Sequence, residues 1–364
     1  MGAIGIVLIL IVLGDAFETI VLPRRVTRPI SLARLFYRYT WISWSAGVRS
    51  IFSSKRQEAL LSWYGPLSLL LLLILWATCL VIGFGLVHWA SGSIIRSQYE
   101  SVNLGTYLYL SGTTFFTLGI GDVVPATTFG RALIAFEAGM GFGFLALVIG
   151  YLPVLNQSFS RREVTISLLD ERAGSPPTAG EMLLRHSHDR GMEDLRQLFH
   201  EWERWSAELL ETHLSYPVLG YFRSQHDNQS WLGALTAVID ASAFVIVSLE
   251  GPCERQAELT FAITRHAIVD LAQIFDCPPC ESGEDRLPST VLDSLRTTLT
   301  SADLKLRIGG DTEKRLSELR RLYEPYICSL SNHLHIAIPP WVPEPGRLDS
   351  WQTTAWGRSI GSSD

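Results

Sequence analysis

The sequence lacks the residue patterns of a metal site, a nucleotide-binding domain and an enzyme. Its five cysteines include one C-x-x-C pair, Cys277 and Cys280, but a structural zinc ion takes four ligands and there is no second pair. No glycine-rich fingerprint follows a strand pattern, and no catalytic signature is present. We therefore predict neither enzyme activity nor a cofactor. A turn between helices is the simplest interpretation of Cys277 and Cys280, and a redox or metal role for the pair stays open.

The first residues lack the features of a signal peptide. No basic region precedes the apolar run of residues 3–13, and no small-residue cleavage site follows it. With the apolar residues that follow, the stretch is long enough to cross a membrane. We therefore predict that residues 1–22 form a transmembrane helix.

Two acidic residues lie near the end of this predicted helix. Asp15 and Glu18 are three residues apart, so they share one helix face. One interpretation is that both carboxylates lie at the membrane interface and reach toward water and arginine. The other is a buried ion pair with Arg24, Arg28 or a neighbouring subunit.

Long apolar runs are the strongest signal in the sequence. Residues 66–89 and 131–152 each exceed the roughly 20 residues that cross about 30 Å of hydrocarbon. Residues 1–160 carry 10 basic and 6 acidic residues, whereas residues 161–364 carry 20 basic and 30 acidic residues. The pattern predicts a multi-pass α-helical membrane domain followed by a large, acidic, soluble domain.

Between the two long runs lies an apolar segment of half their length. Residues 104–116 are long enough for a short helix that enters the membrane and stops, and Thr-Leu-Gly-Ile-Gly-Asp follows at residues 117–122. Non-helical backbone at this depth is tolerated only where it lines a protein-enclosed cavity. Gly119 and Gly121 supply, at alternate positions, the left-handed dihedrals that turn successive carbonyl groups to one side. The pattern predicts a helix, a re-entrant helix, a carbonyl-lined loop and a second helix; the alternative is two spans joined by a glycine-rich external loop.

Residues 66–155 resemble the pore domain of bacterial and two-pore-domain potassium channels. The resemblance rests on residues 117–122 and on Thr-Phe-Gly-Arg at residues 128–131, where the second long run begins. It implies a prokaryotic type of channel with one pore loop per chain, in which four copies form a homotetramer around a selectivity filter. It also implies that K⁺ binds the Thr117 hydroxyl and the backbone carbonyls of the filter. These carbonyls belong to Thr117, Leu118, Gly119 and Ile120.

The pore segment departs from the family pattern at several positions. The family's aromatic filter residue is Ile120 here and the preceding valine is Leu118, so the ring that supports the filter from behind is missing. The family's pore-helix carboxylate falls on Thr113, and Tyr109 takes one position of its tryptophan pair. Asp122 at the filter mouth therefore lacks its usual carboxyl partner. A weakly selective cation channel on the same scaffold is an alternative for this reason.

The second long run contains one carboxylate and a cluster of glycines. Glu137 is predicted to hydrogen-bond Thr113 or Thr114 and so replace the missing pore-helix carboxylate; the alternative is a cavity-facing side chain that attracts cations. Gly141 falls where the family often places a gating-hinge glycine, and close helix packing is the alternative interpretation. Leu152-Pro153 is predicted to form the inner mouth, where the proline ends or kinks the helix.

The segment of residues 23–65 is basic and aromatic. It carries eight arginine and lysine residues against Glu58 alone, so the positive-inside rule places it in the cytoplasm. The N-terminus is then outside, the pore loop enters from outside, and the C-terminal half is cytoplasmic. Aromatic residues alternate with the arginines, which predicts an amphipathic helix in a layer of anionic lipid headgroups. Nucleic-acid binding is rejected because membrane spans flank the segment.

The C-terminal half is predicted to be all-α. Residues 156–180 include Ser-Pro-Pro and are interpreted as a linker, and residues 181–336 as a cytosolic helical domain. The apolar segment 231–249 has Asp240 near its middle, so we predict a buried helix of the bundle and not a further span. Residues 337–364 are rich in Pro, Gly, Ser and Trp and are predicted to be a disordered tail. Periodic segments within the domain lie near residues 189–214, 230–250, 255–276, 288–306 and 312–336.

Taken together, these patterns predict a tetrameric potassium channel of the cell membrane whose cytosolic domain serves gating or assembly. The alternatives are a weakly selective cation channel and a membrane-anchored sensor with a vestigial pore. Regularly spaced arginines are missing from every apolar run, so direct voltage sensing is not expected. The ligand of the cytosolic domain is not predictable from these patterns.

Overall fold

The computed structural model describes most of the chain, and helices make up most of the described residues. The chain divides into two compact units, residues 1–157 and residues 158–364. The described residues are 1–22, 31–52, 54–92, 95–97, 102–188, 191–226, 228–249, 251–280, 285–307, 309–343, 346, 349 and 352.

The first unit, called the pore unit below, contains the helices expected to cross the membrane. Its elements are α1 (Gly2–Ala16, extended by a π-helical turn at Phe17–Val21), α2 (Leu32–Ile51), α3 (Ser54–Ala90), β1 (Ile95–Ser97), α4 (Leu104–Phe115), β2 (Val123–Pro125) and α5 (Thr128–Ala173), which continues into the second unit. Of these, α1, α3 and α5 are long and apolar enough to cross a membrane. The predicted fold class, an α-helical membrane protein with a short helix between two long ones, is confirmed.

Small residues let α1 and α3 approach closely. A β-carbon on Gly5 would lie 2.5 Å from the Gly83 carbonyl oxygen, and one on Gly83 would lie 2.7 Å from the Ile9 side chain. Close backbone contact of this kind replaces the hydrophobic effect as the source of helix association in lipid. The predicted N-terminal helix therefore packs directly on the outer helix of the pore unit.

Asp15 joins α1, α2 and α3 through neutral donors. Its carboxylate accepts hydrogen bonds from the Ser31 hydroxyl (2.8 Å), the Ala33 backbone N–H (3.0 Å) and the Trp76 indole N–H (2.9 Å). The side chain is buried, so the prediction of a water-facing position is wrong. The arginine partners proposed for it, at positions 24 and 28, lie outside the described residues. Asp15 instead caps the start of α2, where unpaired backbone N–H groups favour a negative charge.

The second unit, called the helical domain below, is all-α in its described residues. It contains the last turns of α5 and then α6 (Ala179–Arg185), α7 (Gly191–Ser215), a 3₁₀ turn (Pro217–Tyr221), α8 (Trp231–Ser248), α9 (Glu254–Ile274), α10 (Ser289–Ser301), α11 (Gly310–Arg321) and α12 (Glu324–Leu334). Each periodic segment in the sequence corresponds to a helix, except that residues 312–336 form two. Because α8 is buried over its whole length, its apolar residues form the core of this domain.

A buried ionic network explains the charged residue in α8. Asp240 accepts two hydrogen bonds from Arg286, the shorter at 2.7 Å, and one from the Tyr323 hydroxyl at 2.6 Å. Arg286 also contacts Glu324 at 3.3 Å. Burial and the Asp240 carboxylate raise the pKa of the Tyr323 hydroxyl well above its usual range, so Tyr323 remains a proton donor at neutral pH. The carboxylate in the domain core is therefore fully paired.

Two predicted boundaries are wrong. Residues 156–173 were interpreted as linker, but they continue α5, and Ile166, Leu169 and Ala173 are buried in the helical domain. Residues 337–343 were interpreted as disordered, but Trp341 is fully buried and its carbonyl accepts a 2.8 Å hydrogen bond from the Gly180 N–H. Local composition predicted mobility at both places, and burial of apolar side chains outweighs it.

Arg162 fixes the end of α5 in the helical domain. Its guanidinium donates to the carbonyl of Leu219 (2.8 Å), within the 3₁₀ turn, and to that of Phe222 (2.7 Å), directly after it. It also lies 3.4 Å from His213 Nε2. His213 Nδ1 lies 2.8 Å from the Leu209 carbonyl, which identifies Nδ1 as the protonated nitrogen. Burial and the neighbouring Arg162 charge lower the pKa of His213 to about 3.

Acid should therefore destabilise the helical domain through His213. In the unfolded chain this imidazole binds a proton below about pH 6.5, whereas in the folded domain it does not until about pH 3. Stability is thus lost as the pH falls through this window, by about 1.4 kcal/mol per pH unit. We expect His213→Gln, which can still accept from Arg162 and donate to Leu209, to flatten the dependence of the melting temperature on pH between 7 and 5. His266→Gln, at an exposed position, is the matched control, and equal pH slopes for all three proteins would contradict the assignment.

Candidate functional site

The pore helix α4 has a defined start and a defined end. Asn103 and Thr106 form a reciprocal capping box at its first turn. At its last turn, the Thr117 N–H donates to the Thr114 carbonyl (2.9 Å) and the Leu118 N–H donates to the Thr113 carbonyl (2.8 Å). These two bonds form a Schellman motif, in which the residue after the helix adopts a left-handed conformation. The helix therefore stops at Phe116 and delivers the chain into the filter segment.

Backbone dihedrals alternate along the filter segment. Thr117, Gly119 and Gly121 have positive φ angles of 56°, 56° and 82°, whereas Leu118 and Ile120 do not have positive φ. No atom lies within 4 Å of a β-carbon built on Gly119, and the nearest atom to one on Gly121 is 3.9 Å away. The glycines are thus required by conformation and not by space. Alternation of this kind is what a run of carbonyls facing one side needs, and it falls on the residues that the sequence predicted as the filter.

The C-terminal end of the predicted filter segment is hydrogen-bonded to its surroundings. The Tyr109 hydroxyl, on α4, donates a 3.0 Å hydrogen bond to the Asp122 carboxylate. Asp122 is followed at once by β2, which pairs with β1 in antiparallel register from Ile95 opposite Pro125 to Ser97 opposite Val123. Tyr109 therefore supplies a partner for Asp122 in place of a carboxyl group. This pairing was not predicted, although both residues were singled out.

Glu137 lies at the junction of three helices. Its carboxylate accepts a short hydrogen bond from the Ser111 hydroxyl on α4 and lies 3.1 Å from His88 Nε2 on α3. All three side chains are fully buried, with 0% exposure. The Ser111 hydroxyl is also 2.8 Å from the Val81 carbonyl, again on α3. These contacts join Glu137 to α4 and α3, and its role in bracing the filter stays a prediction.

The predicted partners of Glu137 are wrong, and one real partner was missed. The Thr113 hydroxyl donates instead to the Leu110 carbonyl of its own helix at 3.0 Å. His88 was not singled out in the sequence. A signal for it was present: His88 is a polar residue inside an apolar run, and a buried carboxylate on another span needs a polar partner.

Gly141 is a site of close packing. A β-carbon there would lie 1.9 Å from the Phe115 carbonyl oxygen, at the last turn of the pore helix. By contrast, no atom lies within 4 Å of a β-carbon on Gly139 or Gly143. Helix α5 runs without interruption through this position. The structure supports the packing interpretation of Gly141, and a hinge role remains a prediction.

The predicted inner mouth lies within a continuous helix. Pro153 does not end α5, which has 46 residues and extends to Ala173. At 1.5 Å per residue the helix is about 69 Å long, more than twice the roughly 30 Å of the hydrocarbon core. The proline removes one backbone hydrogen bond, and buried residues on both sides, Tyr151 and Leu155, hold the helix in place. Leu152 packs on the core of the pore unit and Pro153 is exposed on the single chain.

Residues 70–156 match the model of a family described as "Ion channel". This segment of the pore unit is therefore similar to ion channel proteins, and the match spans α4, the filter segment and most of the two flanking helices. A curated relative, "Uncharacterized membrane protein YdjJ" of Bacillus subtilis (strain 168), is 26% identical over 183 residues, which is 50% of this chain and 52% of that protein. The chain therefore spans about half the length of this relative. No solved structure gives a significant match.

Replacing Glu137 should distinguish its observed partners from the predicted ones. Glu137→Gln keeps an oxygen for Ser111 and a polar group for His88, whereas Glu137→Ala removes the partner of His88 Nε2, at a cost of roughly 1–3 kcal/mol, and leaves Ser111 with the Val81 carbonyl. We expect a clearly lower melting temperature for the alanine variant in detergent, with Ser111→Ala resembling it. Thr113→Ala is the control and should have a small effect. A larger loss in Thr113→Ala than in Ser111→Ala would contradict the junction described here.

Gly141→Ala should disturb the packing of α5 on the pore helix. The added methyl group has no space beside the Phe115 carbonyl, so the helices must separate, at a cost of about 1–3 kcal/mol or more. Gly139→Ala has open space within the chain and should be neutral or slightly stabilising, since alanine favours helix by up to about 1 kcal/mol over glycine. Thermal unfolding in detergent measures both variants, and equal melting temperatures would remove the packing role.

Proposed function

We propose that the chain assembles as a homotetramer that conducts K⁺ passively through a filter at Thr117–Gly121. The observation that carries the proposal is the alternation of positive φ at Thr117, Gly119 and Gly121. A potassium filter replaces the hydration shell of the ion with rings of backbone carbonyls. The ion would be held by the carbonyls of residues 117–120 and by the Thr117 hydroxyl, and the protein would need no cofactor.

The uncovered apolar surface supports assembly of several copies. In the most apolar part of α5, only 11% of the residues are buried within one chain, whereas the corresponding part of α3 has 44% of its residues buried. Filter side chains are exposed as well, with Leu118 at 64% and Ile120 at 59%. One chain supplies one filter strand, and closed fourfold symmetry is the arrangement that completes a ring of carbonyls. Copies of α5 would then cover one another around the conduction path.

A weakly selective cation channel is the second candidate. Ile120 replaces an aromatic residue and is exposed, so no ring braces the filter from behind at this position. Support comes instead from the two ends, through the Schellman turn at Thr117 and the Tyr109–Asp122 hydrogen bond. A filter held only at its ends would be less rigid in its middle. Since carbonyls in the middle bind the ion, this part would discriminate less between K⁺ and Na⁺.

Helix α5 connects the proposed pore to the helical domain. The last turns of α5, held by Arg162 and buried at Ile166 and Leu169, belong to the core of this domain. We place the domain in the cytoplasm, together with the basic helix α2, on the positive-inside rule, with the N-terminus outside. A conformational change in the domain would then move the helix that lines the pore. Exposed Leu35, Tyr39 and Ile42 on α2, beside arginines, suit an anionic lipid layer.

Ion flux in liposomes tests the proposal. We expect K⁺ flux well above Na⁺ flux in the unchanged protein and no flux in Gly121→Ala, because alanine at a φ of 82° is strained by about 1–2 kcal/mol. Gly47→Ala, a glycine of α2 with open space around it, is the matched control and should conduct normally. Mass measurement in detergent should give four chains per particle for all three proteins.

Each alternative has its own signature in the same assay. Similar flux of K⁺ and Na⁺ that Gly121→Ala abolishes would identify the weakly selective channel. Absence of flux of any cation from a stable tetramer would identify a vestigial pore. A monomer or dimer with full conductance, or K⁺ flux that survives Gly121→Ala, would refute the proposed filter.

A further inference from the structure

The two cysteines of the C-x-x-C pair lie in different environments. The Cys277 side chain is buried, and its thiol lies 3.4 Å from the Phe275 carbonyl and hydrogen-bonds Ser329. Burial raises the pKa of the Cys277 thiol to about 11. Cys280 is partly exposed. The sequence motif therefore does not describe two equivalent thiols that face each other.

Cys280 instead meets a cysteine of helix α12. Its backbone N–H donates a 3.0 Å hydrogen bond to the Pro325 carbonyl in the first turn of that helix. The Asn332 side-chain amide contacts both the Cys280 sulfur, at 3.7 Å, and the Cys328 sulfur, at 3.6 Å. The Cys328 thiol is also hydrogen-bonded to that of Cys280. The two sulfurs are therefore direct neighbours, although 47 residues separate them in the sequence.

We propose that Cys280 and Cys328 are a redox-active pair that forms a reversible disulfide. Both thiols are free and partly exposed, so a small oxidant can reach them. Among the described residues no group of three or more potential metal ligands is present, which favours a thiol pair over a metal site. The inference concerns the helical domain alone and does not depend on ion conduction.

Hydrogen peroxide is the oxidant class that we propose, because a small oxidant can reach both partly exposed thiols. The Cys280 sulfur attacks one peroxide oxygen, the O–O bond breaks, and Cys280 becomes a sulfenic acid with release of one water. The Cys328 sulfur then attacks the Cys280 sulfur, the S–O bond breaks, and the disulfide forms with release of a second water. Two thiols and one peroxide thus give one disulfide and two waters. Burial raises the pKa of the Cys328 thiol to about 11, so little thiolate is present at neutral pH and the second attack should become faster as the pH rises.

The disulfide would join the connection after α9 to helix α12. That connection carries Arg286, and α12 begins with Glu324, so the bond would lock the two sides of the ionic network around Asp240. A covalent link between distant parts of the chain also restricts the unfolded state. We expect oxidation to raise the melting temperature of the domain by roughly 5–10 °C.

Peptide mapping of the full-length protein in detergent tests the pair. The protein is treated with hydrogen peroxide, free thiols are blocked, and the non-reduced digest is examined by mass spectrometry. We expect a peptide pair cross-linked through Cys280 and Cys328 that dithiothreitol separates. Cys328→Ser should abolish it and leave a sulfenic acid at Cys280 that dimedone traps. Cys277→Ser is the matched control and should retain the cross-link.

Two outcomes would overturn the proposal. One is a Cys277–Cys280 disulfide as the main product, since this would mean that the sequence motif acts by itself. The other is unmodified Cys280 and Cys328 thiols after treatment with peroxide and with oxidised glutathione, which forms disulfides by exchange. Intact mass measured on the same samples establishes that the protein met the oxidant, because Met1, which is 67% exposed, gains oxygen.

Discussion

The Glu137 carboxylate imposes the constraint on which the pore unit depends. A buried carboxylate in apolar surroundings is costly unless donors surround it. Ser111 and His88 can reach it only when α4 and α5 are turned so that these faces meet α3. That rotation also brings Gly141 against the Phe115 carbonyl. The end of the pore helix is thereby fixed, and the filter segment starts from a defined point.

The sequence predicted the pore unit well because its signals are local. Apolar length identifies the spans, and glycine at alternate positions identifies a segment with left-handed dihedrals. The hydrogen-bond partners of Glu137, by contrast, depend on how the helices pack and not on local sequence. Around one helix, Ser111 and Thr114 point about 60° apart and Thr113 points about 160° away from Ser111, and the packed rotation of α4 decides that Ser111 meets Glu137. His88 was missed for the same reason, since its role depends on a neighbour 49 residues away.

In the helical domain, composition was informative about the core and misleading at its borders. Asp240 marked α8 as a domain helix because a carboxylate there needs a protein partner, and Arg286 provides one. Proline-containing composition suggested a linker at residues 156–180 and a disordered tail at residues 337–364, most of which after residue 343 lies outside the described residues. Burial of Ile166 and Trp341 outweighs those local preferences. The Cys280–Cys328 contact was equally hidden, because the nearest cysteine in sequence is not the nearest in space.

The continuity of α5 has a thermodynamic consequence. One helix begins in the segment that matches the ion channel family and ends in the core of the helical domain. Any small molecule that binds only the folded domain stabilises it by RT ln(1 + [L]/Kd), and this free energy also opposes unwinding of the last turns of α5. By reciprocity, an ion or lipid would change the affinity of the domain for that molecule if each of the two bound the conformations of α5 with different affinities. If the proposed filter and the helical domain are coupled in this way, affinity measured at the domain would report on the filter without any record of current.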